Sequence, residues 1–314
     1  MAQWQSIFLV RRRPWVRFPS TAQAISPPAA ELILSPLADD ISFLSPLVAQ
    51  PKVSFGALIT PTPVPIASPS AKPAAPEIAT ASATPAPAPA YQARQKHYAV
   101  ALLGDSMIDT LGPDVPHLKR KLQALFPGTT FTMLNYGAGA TNIDAGLARI
   151  TNSYTYLGQS IPSLVSQSPD IVVVESFGYN PYPYDQGALE RHWLQLAAIV
   201  DVLRNRLPAV KIIIAATIAP NSQLFGDGAA GLSFGPQDKI ERTNVIKEYL
   251  DSTVKFAQSQ NLPLADAFHP SLMANGDGNV LYINGGDRIH YSDPGRDLFA
   301  QKVVETIVSN KLLE

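Results

Sequence analysis

The stretch Tyr98–Gly112, "YAVALLGDSMIDTLG", decides how the chain is read. An unbroken apolar run ends at Gly104-Asp105-Ser106, and the chain then turns polar. A run of this length, without polar alternation, predicts a strand buried on both faces. Such a strand delivers whatever follows it to one edge of its sheet, and here that is a serine.

Outward from this point the pattern alternates. "DVPHLKRKLQALFP" (114–127) has helical spacing, with Val115, Leu118, Leu122 and Leu125 on one face. "TTFTMLNYG" (129–137) reads as a strand, and "NIDAGLARI" (142–150) and "SIPSLVSQS" (160–168) as short helices. "DIVVVESFG" (170–178), "VKIIIAATIAP" (210–220) and "LPLADAF" (262–268) read as further strands. Long amphipathic helices are predicted over 186–208, 236–260 and 293–310. Strand–helix alternation implies right-handed crossovers and a parallel sheet covered on both faces. The fold class expected is therefore α/β, a three-layer α/β/α domain with about five parallel strands and a flavodoxin-like topology. In such sheets ligands bind beyond the carboxyl ends of the strands.

The first third of the chain has another composition. Of 314 residues 29 are proline, and many fall between Ser26 and Ala93, as in "TPTPVPIASPSAKPAAPEIATASATPAPAPAYQ". That composition buries too little apolar surface to offset chain entropy. Residues 1–95 are expected to be a disordered tether and residues 96–314 one domain, a length ample for a single core. The opening "AQWQSIFLVRRRPWVRFPS" resembles the translation of a transfer-RNA gene, so the first ~22 residues are expected to reflect a mis-assigned start. The apolar "SIFLV" is shorter than the ~7–15 residues of a secretory signal. A spacer of this kind suits a domain held at a cell surface or outside the cytoplasm.

The net charge of −1 announces no nucleic-acid surface. Without cysteine, thiolate catalysis and disulfides are excluded. No H-x-x-x-H spacing marks a metal site, and "NYGAGATN" (135–142) lacks the G-x-G-x-x-G of a dinucleotide loop, so neither metal nor cofactor is expected. Gly137 is assigned to a turn. His117 and His192 are assigned to helices as partly exposed packing residues.

Several residues suited to acyl transfer share the predicted edge. Ser106 follows the first strand, Gly139 lies after the second, Asn180 after the third, and Asp287 and His290 precede the last helix. Acyl transfer needs a nucleophile, a base, a carboxylate orienting the base, and donors for the oxyanion. The ordered blocks Gly104-Asp105-Ser106, Gly139-Ala140-Thr141, Gly178-Tyr179-Asn180 and Asp287-Arg288-Ile289-His290 resemble those of the SGNH (GDSL-type) hydrolases. The resemblance implies Ser106 as nucleophile, His290 as base and Asp287 as its partner. It also implies an oxyanion hole of the Ser106 and Gly139 amides with the Asn180 side chain. The implied activity is carboxylic ester hydrolysis through an acyl-serine, on carbohydrate, cell-envelope or lipid esters. The alternatives are O-acyl transfer to a polysaccharide and a catalytically silent binding module.

Two rivals stay open at this level. "GLSFG" (231–235) matches the G-x-S-x-G elbow around Ser233, though the preceding "FGDGAAG" reads as loop rather than strand. Asp266 and His269 repeat the D-x-x-H spacing. Beside Asn180, the aromatic Tyr179, Tyr182 and Tyr184 would either line a substrate pocket or pack the loop.

Overall fold

The computed structural model describes residues 91–183 and 185–314. All but the last five residues of the tether read over 1–95, and Tyr184 as well, lie outside the described residues. Tyr91 donates its amide to the Leu125 carbonyl and Arg94 donates to that of Leu313, so the segment entering the domain lies along it.

The apolar run at Tyr98 is strand β1 (His97–Gly104). It is followed by the one-turn helix α1 (Ser106–Asp109), then α2 (Pro116–Leu125), β2 (Thr130–Gly137) and α3 (Ile143–Thr151). A hairpin comes next, β3 (Tyr154–Tyr156) and β4 (Gln159–Ile161), and then β5 (Ile171–Glu175), α4 (Ala188–Arg206) and β6 (Lys211–Ala216). Helix α5 (Pro236–Ser259), β7 (Leu264–Asp266) and α6 (Asp293–Ser309) complete the chain. Among the described residues five strands form one parallel sheet in the order β2-β1-β5-β6-β7, with β1 central enough to pair on both sides. This is the α/β architecture expected, in flavodoxin-like order.

Strand alternation builds two cores. Val100 and Leu102 of β1, Ile171 and Val173 of β5, and Ile213 of β6 face one side. There they meet Leu118 and Leu122 of α2 and Phe299, Val303 and Ile307 of α6. Ala101, Leu103, Val172, Val174 and Ile214 face the other side, against Ile143 and Ile150 of α3 and Leu196, Ile199 and Leu203 of α4. Each of the buried Val, Leu, Ile and Phe side chains among them contributes roughly 1.5–3 kcal/mol. With both faces covered, the strands need no polar alternation, which is why they read as continuous apolar runs.

The sequence reading fails in one element. "SIPSLVSQS" is not a helix: Gln159–Ile161 is a strand of the hairpin, and only Leu164–Gln167 makes a 3-10 turn. Leu157 and Gly158 both take positive φ, 49° and 76°, the geometry of a tight two-residue hairpin turn. Pro162 lacks the amide hydrogen that further strand pairing would use, so β4 ends at Ile161.

Gly137 does not serve a turn. It ends β2 opposite Gly104, and a Cβ there would stand 2.1 Å from the Asp109 amide nitrogen and 2.7 Å from the Ile108 carbonyl carbon. Glycine is required because the helix carrying Ser106 presses against the strand. A Gly137→Ala substitution should lower the unfolding free energy by about 2–3 kcal/mol, as overpacking against backbone does. Urea unfolding monitored by circular dichroism measures it, and a change below about 0.5 kcal/mol would contradict the contact.

Candidate active site

The tip of β1 places Ser106 by a sharp fold-back. Asp105 caps α1, its Oδ1 accepting the Met107 amide at 2.8 Å. Gly104 lies under Ile108, whose Cγ1 would stand 2.3 Å from any Cβ at that position. Ser106 is thereby held, partly exposed, as the first residue of α1 beyond the carboxyl edge of the sheet.

The second block comes to the same place. A Cβ built on Gly139 would lie 3.9 Å from Ser106 Cβ, 3.9 Å from Asp109 Oδ2 and 3.1 Å from the Tyr156 hydroxyl. The Gly139 amide donates to that hydroxyl at 2.8 Å, and the hydroxyl donates to Asp109 Oδ2 at 2.8 Å. Arg149, buried on α3, joins the first two blocks. Its Nη2 donates to the Gly104 carbonyl at 2.7 Å and its Nη1 to Thr141 Oγ1 at 3.0 Å.

The third block is oriented by Asp105. Asn180 Nδ2 donates to Asp105 Oδ2 at 2.9 Å. This bond uses one of the two amide hydrogens, fixes which way the amide points, and leaves the second hydrogen to donate elsewhere. Below it Glu175 is fully buried, accepting the Asp105 amide at 3.3 Å and the Ser176 hydroxyl at 2.6 Å. Burial, with Asp105 beside it, raises the Glu175 carboxyl well above the usual carboxylate range.

The fourth block supplies an imidazole. Asp287 Oδ2 accepts from His290 Nδ1 at 2.8 Å, while its Oδ1 accepts the Ile289 and His290 amides at 2.9 and 3.0 Å. Burial opposes the Asp287 charge, but these hydrogen bonds outweigh it and its pKa is lowered. A carboxylate on Nδ1 leaves Nε2 as the lone-pair nitrogen. That Nε2 is buried and has no hydrogen-bond partner. The ring also lies within electrostatic reach of Asp105 and Asp109, the carboxylates that bracket Ser106.

The repeated pair Asp266 and His269 has nearly the same local geometry, with Nδ1 and Oδ2 at 2.7 Å. Its setting differs: the His269 side chain is 50% exposed, against 10% for His290. Ser233 is exposed on an irregular loop with no strand leading into it, so the elbow geometry is absent there.

The tyrosines separate. Tyr179 packs against the core and Phe225 and donates its hydroxyl to the Ile218 carbonyl at 3.0 Å. Tyr182 donates its hydroxyl to Asp144 and lies 5.2 Å from the Arg191 guanidinium. Together with Leu194 and Gln195 they line an open cleft of about 440 Å³. Among the described residues no group of three or more His, Asp or Glu side chains could hold a metal ion. Asp109, Arg149, Tyr156 and Glu175 were not singled out from sequence. Each is a single residue outside the four blocks, and nothing local marks it.

No family model matches the chain, and no curated protein does. Solved structures do. A protein described as a GDSL-like lipase from Parabacteroides merdae aligns at TM-score 0.50 and 16% identity, over 69% of this chain and 97% of its own. A lipase/acylhydrolase from Enterococcus faecalis aligns at TM-score 0.49 and 18% identity, over 68% and 96%. An acetylxylan esterase from Geobacillus stearothermophilus aligns at TM-score 0.45 and 16% identity, over 67% and 94%. The C-terminal domain has the SGNH/GDSL hydrolase fold.

His192 differs from its sequence reading. It is buried on α4, bonded through Nε2 to the Ser176 carbonyl at 2.7 Å, while its Nδ1 is enclosed without a partner. Burial pushes its pKa down to about 4. The unfolded chain therefore takes up this proton more readily than the folded one. The resulting stability is present above the ordinary histidine value near 6.5 and is lost as pH falls towards 4, by about 3 kcal/mol in all. Urea unfolding of wild type and His192→Gln at pH 7, 5 and 4 measures this. The variant should lose distinctly less stability between pH 7 and 4, and parallel losses would contradict the assignment.

Proposed function

We propose that the domain is a serine ester hydrolase. The observation that carries this reading is His290 Nε2, a buried lone-pair nitrogen on a ring held by Asp287 and within electrostatic reach of Asp105 and Asp109, which bracket Ser106. A buried acceptor without a donor costs free energy, and it persists where a reacting group is to supply the proton.

On this reading Ser106 Oγ attacks an ester carbonyl as its proton passes to His290 Nε2. Asp287 keeps the ring in the Nδ1–H tautomer and stabilises the imidazolium. The charge developing on the carbonyl oxygen is met by the Ser106 and Gly139 amides and by the free hydrogen of Asn180 Nδ2. Collapse of the intermediate sends the imidazolium proton to the departing alkoxide and leaves an acyl-serine. Water, deprotonated by His290, then releases the acid. Asp105 acts through Asn180, whose amide it aims.

The substrates we favour are acetyl or short acyl esters on carbohydrate or envelope polymers. The cleft around Tyr182 supports this. It presents a carboxylate, a guanidinium and a carboxamide beside an aromatic ring, groups suited to sugar hydroxyls and sugar faces, two residues along the chain from Asn180.

Turnover of p-nitrophenyl acetate and butyrate tests the assignment. Ser106→Ala and His290→Ala should each lose nearly all activity, and the double variant should lose little more, because the two act as a unit. Asn180→Ala should lower kcat about 10²–10³-fold with KM nearly unchanged. His269→Ala and Ser233→Ala should retain most turnover. A fluorophosphonate probe should label Ser106; label on Ser233, or an inactive His269→Ala beside an active His290→Ala, would overturn the proposal.

A further inference from the structure

The hydrogen bond between Gly139 and Tyr156 conflicts with the role proposed for Gly139. A backbone amide has one hydrogen, and here the Tyr156 hydroxyl oxygen accepts it at 2.8 Å. We infer that Tyr156 is a plug: its hydroxyl oxygen occupies the acceptor position on the Gly139 amide that the ester carbonyl oxygen of the substrate must take. The inference rests on the serine-hydrolase reading above and adds a residue that sets how readily an ester enters.

The geometry of the plug is specific. The hydroxyl oxygen, Asp109 Oδ2 and Ser106 Cβ all lie within 4 Å of one point, the place a Cβ on Gly139 would occupy. The nucleophile and the plug therefore share one small space. Tyr156 cannot simply serve as another donor to the oxyanion, because its own proton is committed to Asp109 at 2.8 Å. Burial holds the hydroxyl protonated, its pKa pushed up to about 12, and it donates to Asp109 Oδ2. A carbonyl oxygen and the Tyr156 oxygen compete for one hydrogen.

The element carrying Tyr156 suits a part that must withdraw. Two-stranded hairpins are marginal on their own. In this one Thr155, Leu157, Gly158, Gln159 and Ser160 are exposed, while Tyr154 and Ile161 at its base pack against the second core. The base is anchored and the tip is open to solvent. Withdrawal of Tyr156 costs its bonds to Gly139 and Asp109, and an arriving carbonyl restores the first of them.

Removing the hydroxyl tests the plug, because loss of a polar group at an active site should here increase the rate. In the full chain Tyr156→Phe should raise kcat/KM for p-nitrophenyl acetate about 3–10-fold, the scale of one net hydrogen bond. Asp109→Asn, which leaves a neutral and weaker acceptor for the hydroxyl, should raise it about 2–3-fold and gives a second reading should Tyr156→Phe fold poorly. Near-ultraviolet circular dichroism and Tm report whether each variant keeps the native fold. A folded Tyr156→Phe with unchanged rate would overturn the plug, and so would a tenfold loss in kcat, which would make Tyr156 a donor to the transition state. Ser106→Ala and the double variant Ser106→Ala/Tyr156→Phe separate this inference from the functional reading. Turnover that survives without Ser106 sinks the hydrolase mechanism; turnover that needs Ser106 but ignores Tyr156 sinks only the plug.

Discussion

The site depends on a buried guanidinium. Arg149 is almost fully enclosed, and burial alone disfavours its charge. Desolvating a cation costs several kcal/mol unless charges and hydrogen bonds replace water. Both replacements are present: Asp105 lies within electrostatic reach, and the two Nη atoms end on the Gly104 carbonyl and Thr141 Oγ1. Those acceptors belong to the turn that carries Ser106 and to the loop that carries Gly139. One side chain thus ties the turn after β1 to the loop after β2, beside the contact of α1 with Gly137 and the Tyr156 bridge between Gly139 and Asp109.

The same charge accounts for the acidic residues gathered there. Two carboxylic groups buried side by side cannot both ionise cheaply. Glu175 is the one pushed far towards its neutral form. Burial raises the Asp105 pKa too, but less far, because hydrogen bonds from Asn180 and the Met107 amide favour its charged form. The aspartate after Gly104 therefore does two jobs set by geometry: it caps the short helix behind Ser106 and it orients the Asn180 amide. Neither job requires it to react.

The sheet was legible because burial on both faces leaves a plain signal, as in "DIVVV" and "KIIIA". The blocks stood out because each is contiguous: the first three follow the ends of β1, β2 and β5, and the fourth runs into α6. What sequence could not give was long-range pairing. Tyr156 meets Gly139 through a hairpin whose first strand lies in a stretch for which no element was expected, and Arg149 gives no local sign that it will be buried. The two Asp-x-x-His pairs make the limit plain. Both form the ring-to-carboxylate bond, 2.7 and 2.8 Å long, because three-residue spacing at a turn suffices for it. Only the tertiary fold buries one ring and leaves the other in water.

Exposure also explains why a resting site of this kind benefits from an internal acceptor. Donors aimed at a transition-state oxyanion are unsatisfied before substrate arrives, and a half-buried unpaired amide costs free energy. Asn180 limits that cost by giving one hydrogen to Asp105. In the oxyanion role proposed for it, the Gly139 amide, with only one hydrogen, can be satisfied at rest only by something that later leaves. The Tyr156 hydroxyl, on a short and mostly exposed hairpin, fits the plug proposed for it: it is an acceptor for that amide, and the strands around it carry little packing.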